Sequence, residues 1–285
     1  MKTVGIVTDS VACLPPELVT QYGIHIVPVK LTVGGLIYQD IGEELTPDLI
    51  HSLQEAPTID TTPWPPETYF RAYEAASRTA SDLVHIVAFS QFTSTMSLAR
   101  AGAAMAQEAL PGLRVEVFDS ATTAMAQGFI TLAAARAAES GRDIADVVAQ
   151  SERVKSRVTA AFTLDSLHYL ARTGRVTRLA AWAGSLLQVR PVVGLANGRE
   201  RPLALTRSRS QAIRRLFELV RTASATSGPL HIAIMDSGPS EESDELRNTI
   251  EQQLHPAESM VVHVSAVTQI VAGPNLLGVA FYTGD

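Results

Sequence analysis

Short β-branched runs alternate with Ala-rich, helix-forming stretches along most of the chain, the pattern of a largely parallel sheet covered by helices. Val4 to Thr8, Leu83 to Phe89 and Val115 to Phe118 are the clearest early strands. Helices are expected to begin near Pro15, Pro66, Ser94, Thr122 and Asp143. Proline suits a first helical turn because the N–H it lacks would have no intrahelical partner there. Gly141 is a natural stop for the helix that precedes Asp143.

After a helix around Asp146 to Lys155, a second block opens with the strand Val158 to Thr163. Asn197-Gly198 then separates Val189 to Leu195 from Arg201 to Leu205, a hairpin signal, since a type I′ turn wants positive φ at both central residues. The expected fold is therefore α/β in two lobes: an N-terminal lobe over residues 1–157 with a mostly parallel sheet flanked by helices, and a C-terminal mixed-sheet lobe over 158–285. No internal repeat of fixed period and no low-complexity linker interrupts them.

Residues Val261 to Gly284 contain no Asp, Glu, Lys or Arg, which raises a membrane-spanning reading. His263, Gln269 and the Gly273-Pro274-Asn275 break oppose it. Two buried strands flanking a tight loop are the expectation instead, and no membrane insertion is expected.

Composition changes this picture in three ways. Hydrophobic residues make up 46% of the 285 residues but aromatic ones only 6%, so apolar surfaces are mostly aliphatic, suiting a smooth cavity or an ordinary α/β core alike. Asp9 follows Val4 to Val7 too soon for the apolar region of a signal peptide, and the lone Cys13 allows no internal disulfide and no multi-cysteine metal site. A cytoplasmic location is expected, with Cys13 a small buried residue. Charge is uneven: Arg172 to Arg221 carries 11 Lys/Arg against two Glu, a balance of +9 in a chain of net −6. That argues against nucleic acid as a partner, and leaves either a solvated basic face or a dock for an acidic protein.

Three strands end alike, in Thr8-Asp9-Ser10, Phe118-Asp119-Ser120 and Met235-Asp236-Ser237. Helix N-capping is the first reading of each, and a ligand-facing carboxylate at the carboxyl edge of an α/β sheet the second. Two hydroxyl-rich turns are more informative: Thr58 to Pro66, and Ser90-Gln91-Phe92-Thr93-Ser94-Thr95 directly after a strand. Hydroxyls beside unpaired helix N–H groups form a carboxylate site without a lysine, although either turn could simply cap its helix.

At these residues the chain resembles the DegV family. Thr8-Asp9-Ser10 with Leu14-Pro15 is similar to its opening TDS…LP signature, Thr61 to Pro66 to its TSQPSP-like turn, and Ser90 to Thr95 to its S-x-x-S-G-T. Asp119-Ser120 matches a DS pair. Leu167-His168-Tyr169-Leu170 through Gly174-Arg175-Val176 resembles L-x-Y-L…G-R-I, and Leu186 to Val193 resembles L-L-x-I-K-P-I-L. Gly273-Pro274 and Leu277-Gly278 fall on H-x-G-P-G-x-x-G.

The resemblance implies a non-enzymatic carrier that needs no cofactor and holds one long-chain fatty acid in an interlobe tunnel. The acid would be presented for lipid metabolism to a fatty acid kinase. It further implies that Thr62 and Thr93, with Thr61 and Ser94 beside them, hold the carboxyl end. Two positions depart from the pattern: Val271 stands where the family has histidine, and Ser94 where it has glycine, and both bear on phosphoryl transfer. A basic docking face would be carried by Arg172, Arg175, Arg178, Arg207 and Arg209.

The competing expectation is an enzyme acting on a small phosphorylated or acidic substrate through Asp9, Asp119 and Asp236. No Ser/His/Asp spacing, Walker-type loop, dinucleotide fingerprint or clustered metal ligands accompany them. His51, His168 and His255 read as surface or strand-edge residues, and Trp64 and Trp182 as packing residues.

Overall fold

The computed structural model describes residues 2–40, 46–56, 58–173, 189–225 and 228–284. The chain opens with β1 (Lys2–Asp9), a 3-10 turn at Ser10–Ala12, α1 (Pro16–Tyr22), β2 (His25–Val27), β3 (Lys30–Val33) and β4 (Leu36–Gln39). Next come α2 (Pro47–Gln54), α3 (Pro66–Ala76), β5 (Ala80–Val87), α4 (Thr95–Ala109), β6 (Arg114–Asp119), α5 (Ala124–Glu139) and α6 (Ile144–Lys155). β7 (Thr159–Thr163), α7 (His168–Arg172), β8 (Arg190–Ala196), β9 (Arg199–Thr206) and α8 (Arg209–Ser224) follow. The chain closes with β10 (Leu230–Asp236), α9 (Glu241–Leu254), β11 (Glu258–His263), α10 (Ala266–Ala272) and β12 (Leu277–Thr283).

The first sheet is parallel, in the order β2-β1-β5-β6. The second runs β11-β10-β12-β7-β8-β9, with β10 and β11 parallel and the remaining pairs antiparallel. The two-lobe α/β reading is correct. The β8–β9 hairpin turns at Asn197 and Gly198, both with positive φ, as the dipeptide demands.

Helix α5 decides how the two sheets meet. It is buried around almost its whole circumference, from Ala124 to Ala135 and again at Ala137 and Ala138. A helix apolar on every side belongs inside, and its alanines let a sheet approach from both sides. One core accordingly runs from Val4 and Ile6 through Phe129 to Ala160, Met235 and Ala280. Helices α3 and α4 cover the other face of the first sheet, α8 and α9 that of the second. A smaller cluster joins Leu31, Ile50 and Leu53 to Val267, Ile270 and Val271 on α10.

Two local expectations need correction. The uncharged run from Val261 is not two strands around a loop, because α10 lies between β11 and β12. Its start is fixed by Ser265, whose Oγ accepts from the Thr268 N–H at 3.2 Å. Nor do the three strand-end aspartates cap α-helices. The N-caps of α1, α5 and α9 are Pro15, Thr123 and Ser240. Asp119 and Asp236 instead close Asx turns onto the N–H groups of Ala121 (2.8 Å) and Gly238 (3.1 Å). Cys13 is buried, as expected.

Candidate functional site: a lined cavity between the sheets

Parallel strands direct their carboxyl ends to one edge, and at that edge of the first sheet lies a cavity of about 180 Å³. Asp9, Val27 and Ala88 reach it from β1, β2 and the segment after β5. The opposite wall is Phe162 from β7, Leu164 just after it, Val193 and Leu195 from β8, and Val267 and Val271 from α10. The walls are mostly apolar, chiefly aliphatic, with Phe92, Trp64, Tyr69 and Phe162 as aromatic members.

The two hydroxyl-rich turns meet at this cavity. The first is fastened to β3 by a backbone exchange, Thr32 N–H to Asp60 O at 2.7 Å and Asp60 N–H to Thr32 O at 2.9 Å. Asp60 then accepts from both the N–H (2.8 Å) and the hydroxyl (2.5 Å) of Thr62, whose side chain is exposed. Thr61, Pro63 and Trp64 line the cavity; Thr62 is not among the lining residues. The Trp64 indole donates to the Pro28 carbonyl at 2.7 Å, and the Lys30 ammonium lies 5.5 Å from the centre of its ring.

The second turn is held from below by Asp119, which accepts from the Ser90 hydroxyl at 2.5 Å. Phe92 folds onto Phe89, ring centres 4.8 Å apart. Thr93 and Thr95 share a hydroxyl bond of 2.8 Å, Thr95 also bonds Tyr69, and all three residues line the cavity. Ser94 is exposed and is not among the lining residues. Neither N-cap, Pro65 of α3 nor Ser94 of α4, makes a side-chain capping bond, but the Thr93 hydroxyl accepts from the Thr95 N–H at the start of α4 at 3.2 Å.

Gly102 explains why the turns can converge. A Cβ there would sit 2.6 Å from the Pro66 carbonyl oxygen and 2.7 Å from the Tyr69 Cβ, so α4 approaches the first turn of α3 at a distance only glycine permits.

Asp9, alone of the three strand-end aspartates, takes the ligand-facing place that the second reading gave them. It accepts from the Ala88 N–H (2.9 Å) and from the Gln127 amide (2.9 Å), and burial pushes its carboxyl up to about 6. Lys30 and Glu200 add one charge of each sign to the lining. Asp119 and Asp236 do not line it: β5 separates Asp119 from Asp9 in the first sheet, and Asp236 ends a strand of the second. Among the described residues no group of three or more His, Cys, Asp or Glu could hold a metal ion, and no helix is long and apolar enough to cross a membrane.

Of the arginines expected to form a basic docking face, Arg207 is exposed. Arg209 is engaged with Glu242 (2.9 Å) and the Asn275 carbonyl (2.6 Å), and Arg172 donates to the Ala56 carbonyl at 2.9 Å beneath Tyr169. Arg175, Arg178, Trp182 and the segment Leu186 to Gln188 lie outside the described residues. Tyr69, Lys30 and Glu200 were not singled out from the sequence, and Thr95 only as part of its turn. Thr95 carried a usable signal, standing in the same hydroxyl-rich turn as Thr93.

Comparison with known proteins agrees with this architecture. A DegV domain-containing protein of Streptomyces coelicolor is 32% identical over 98% of both chains. A DegV family protein of Thermus thermophilus, described by its fatty acid binding, superposes with a TM-score of 0.89 at 26% identity, covering 99% of this chain and all of that one. DegV of Bacillus subtilis, described as a fatty acid binding protein, gives 0.84 at 26% over the same shares. The family model for DegV, whose members it describes as uncharacterised, matches residues 3–284, and with that match over nearly its whole length this chain belongs to the DegV family.

Proposed function

We propose that this protein binds one long-chain fatty acid in the cavity between its sheets and carries it, without catalysing a reaction, for use in lipid metabolism. The observation that carries this reading is the cavity itself: aliphatic walls from both sheets and a string of hydroxyls, Thr61, Thr93, Thr95 and Tyr69, on one side. The fatty acid binding described for the Thermus thermophilus and Bacillus subtilis relatives supports it. Burying about 14 methylenes is worth roughly 11 kcal/mol gross at ~0.8 each, before the costs of association. The tail therefore dominates affinity, and the hydroxyls orient the head.

Thr61 and Thr93 are the head-group residues in this proposal. Thr62 holds the turn through Asp60, and Ser94 shapes the start of α4. The carried acid is offered in the cytoplasm to a fatty acid kinase whose dock is supplied by Arg172, Arg175, Arg178, Arg207 and Arg209, of which Arg207 is exposed. Val271 lines the cavity where the family's histidine would stand, so phosphorylation of the bound acid is expected to be slow. The enzyme reading finds its three aspartates on separate strands of two sheets and gains no support from them.

Organic extraction of the purified protein, followed by mass spectrometry, tests the proposal. One equivalent of fatty acid is expected in the wild type, and much less in a Thr61→Ala/Thr93→Ala variant of equal stability. A wild type that is empty and rejects added fatty acids would overturn it.

A further inference from the structure

Asp9 sets a condition on the ligand. Its side chain is at the cavity wall yet almost completely shielded from water, and its hydrogen bonds come from neutral donors, the N–H groups of Ala88 and Val11 and the Gln127 amide. Among the described residues no cation bonds it. The charged and titratable groups around it do not neutralise it either. Asp40 and Cys13 lie within electrostatic range and are themselves buried acids, and Tyr69 on α3 is a buried phenol. On the neighbouring strands His25 and His85 flank Val7, and burial holds both imidazoles towards their neutral form. Helix α5 faces this network with Gln127 and Thr131, both uncharged. Lys30, a cation of the cavity wall, stands over Trp64, and Glu200 of the lining is a further acid.

A fatty acid carboxylate drawn into this cavity adds a second negative charge to one that already lacks a counter-ion. Two like charges in a water-poor site resist joint ionisation, and one of the two groups takes up a proton. An ionised carboxylate has about four lone-pair sites, so after accepting three bonds Asp9 can still receive a hydroxyl proton.

We infer that Asp9 makes the cavity select a neutral, proton-donating lipid head group, so that a fatty acid enters together with one proton and a fatty alcohol is accepted without one. This rests on the fatty acid reading of the cavity and adds the form in which the head group is held. Desolvation already favours the protonated form of Asp9 itself, which places the effect near neutral pH.

Calorimetric titration with dodecanoic acid and with dodecanol tests the inference, in wild type and in Asp9→Asn. From about pH 6 to about pH 8 the affinity of wild type for the acid should fall at least about ten-fold, as required when a proton must be bound above both groups' ionisation. The affinity for dodecanol should hold within about three-fold over the same range, and Asp9→Asn should bind the acid equally well at both pH values. Should Asp9→Asn fail to fold, wild type alone decides, because titration in buffers of different ionisation enthalpy counts the protons. Uptake of about one proton per acid near pH 8 supports the inference, and uptake of none overturns it, as does an acid affinity independent of pH. Failure of both lipids to bind at either pH would instead remove the fatty acid reading on which it rests.

Discussion

The indole N–H of Trp64 donates to the carbonyl of Pro28 across 2.7 Å, joining the first hydroxyl turn to the corner between β2 and β3. Both residues line the cavity, so this bond fixes the spacing of two of its walls. Trp64→Phe keeps most of the apolar surface but strands the carbonyl, which costs about 1–3 kcal/mol. Denaturant titration should show that loss, together with weaker lipid retention. In the wild type, filling the cavity should shift Trp64 fluorescence to shorter wavelength, and an unchanged spectrum on saturation would count against the cavity as the binding site.

The close approach of α3 and α4 at Gly102 predicts a second effect. In Gly102→Ala the new methyl would meet the Pro66 carbonyl oxygen and the Tyr69 Cβ, neither of which can swing aside. The helices must separate, at a cost of about 1–3 kcal/mol. Because their N-termini carry the two turns, lipid retention should fall along with the melting temperature. A stable Gly102→Ala that retains lipid normally would show that the turns need no such approach.

His85 predicts a pH dependence that can be isolated by difference. Its ring is buried and bonded to the Tyr73 hydroxyl at 2.7 Å, its Nε2 has no partner among the described residues, and burial lowers it from 6.5 to about 3. The folded state thus binds fewer protons than the unfolded one in that window. The stability His85 contributes is complete above 6.5 and is lost as pH falls towards 3. Asp9 and Asp40, both raised to about 6 by burial, act in the opposite sense, adding stability as pH falls from 6 towards 3.8. Comparison with His85→Gln cancels them. Between about pH 7 and pH 4.5, wild type should lose on the order of 2 kcal/mol relative to the variant in urea denaturation. Parallel stability curves would contradict a neutral His85.

Much of the frame was legible in the chain because it is written in local signals. β1, β6 and the starts of α3 and α6 follow from β-branched runs and from Pro66 and Asp143, and the β8–β9 hairpin from Asn197-Gly198. Helix α10 was not, since Ala266–Ala272 is seven residues with β-branched Val267, Thr268, Ile270 and Val271, too short and too strand-like to show a helical period. The cavity was half legible. Its hydroxyl turns stand out as clusters, whereas Val193, Leu195 and Val267 read as ordinary core, and nothing local distinguishes a side chain facing a cavity from one facing another side chain. Adjacent hydroxyls raise the same difficulty: only the bond from Thr62 to Asp60 separates its role from that of Thr61. Asp9 resembled a cap because Asp at a strand end usually is one; the Val11 N–H is a local donor to it, but its other two donors, Ala88 and Gln127, lie far away in the chain.

Val271 yields the sharpest change to make. It is buried, it lines the cavity, and it occupies the position at which the family pattern places histidine. If the head group carries an unbalanced negative charge beside Asp9, an imidazolium here would supply the missing cation. Two nearby carboxylates would raise the imidazole's proton affinity above its ordinary value. Val271→His should therefore strengthen binding of dodecanoic acid near pH 7.5 by about ten-fold, leave dodecanol binding within about three-fold, and flatten the pH dependence of acid binding. The same substitution should raise the rate at which a fatty acid kinase phosphorylates the bound acid. Equal gains for acid and alcohol would mean that the histidine acts through packing, and a loss for both would mean that the cavity cannot hold a polar side chain on α10.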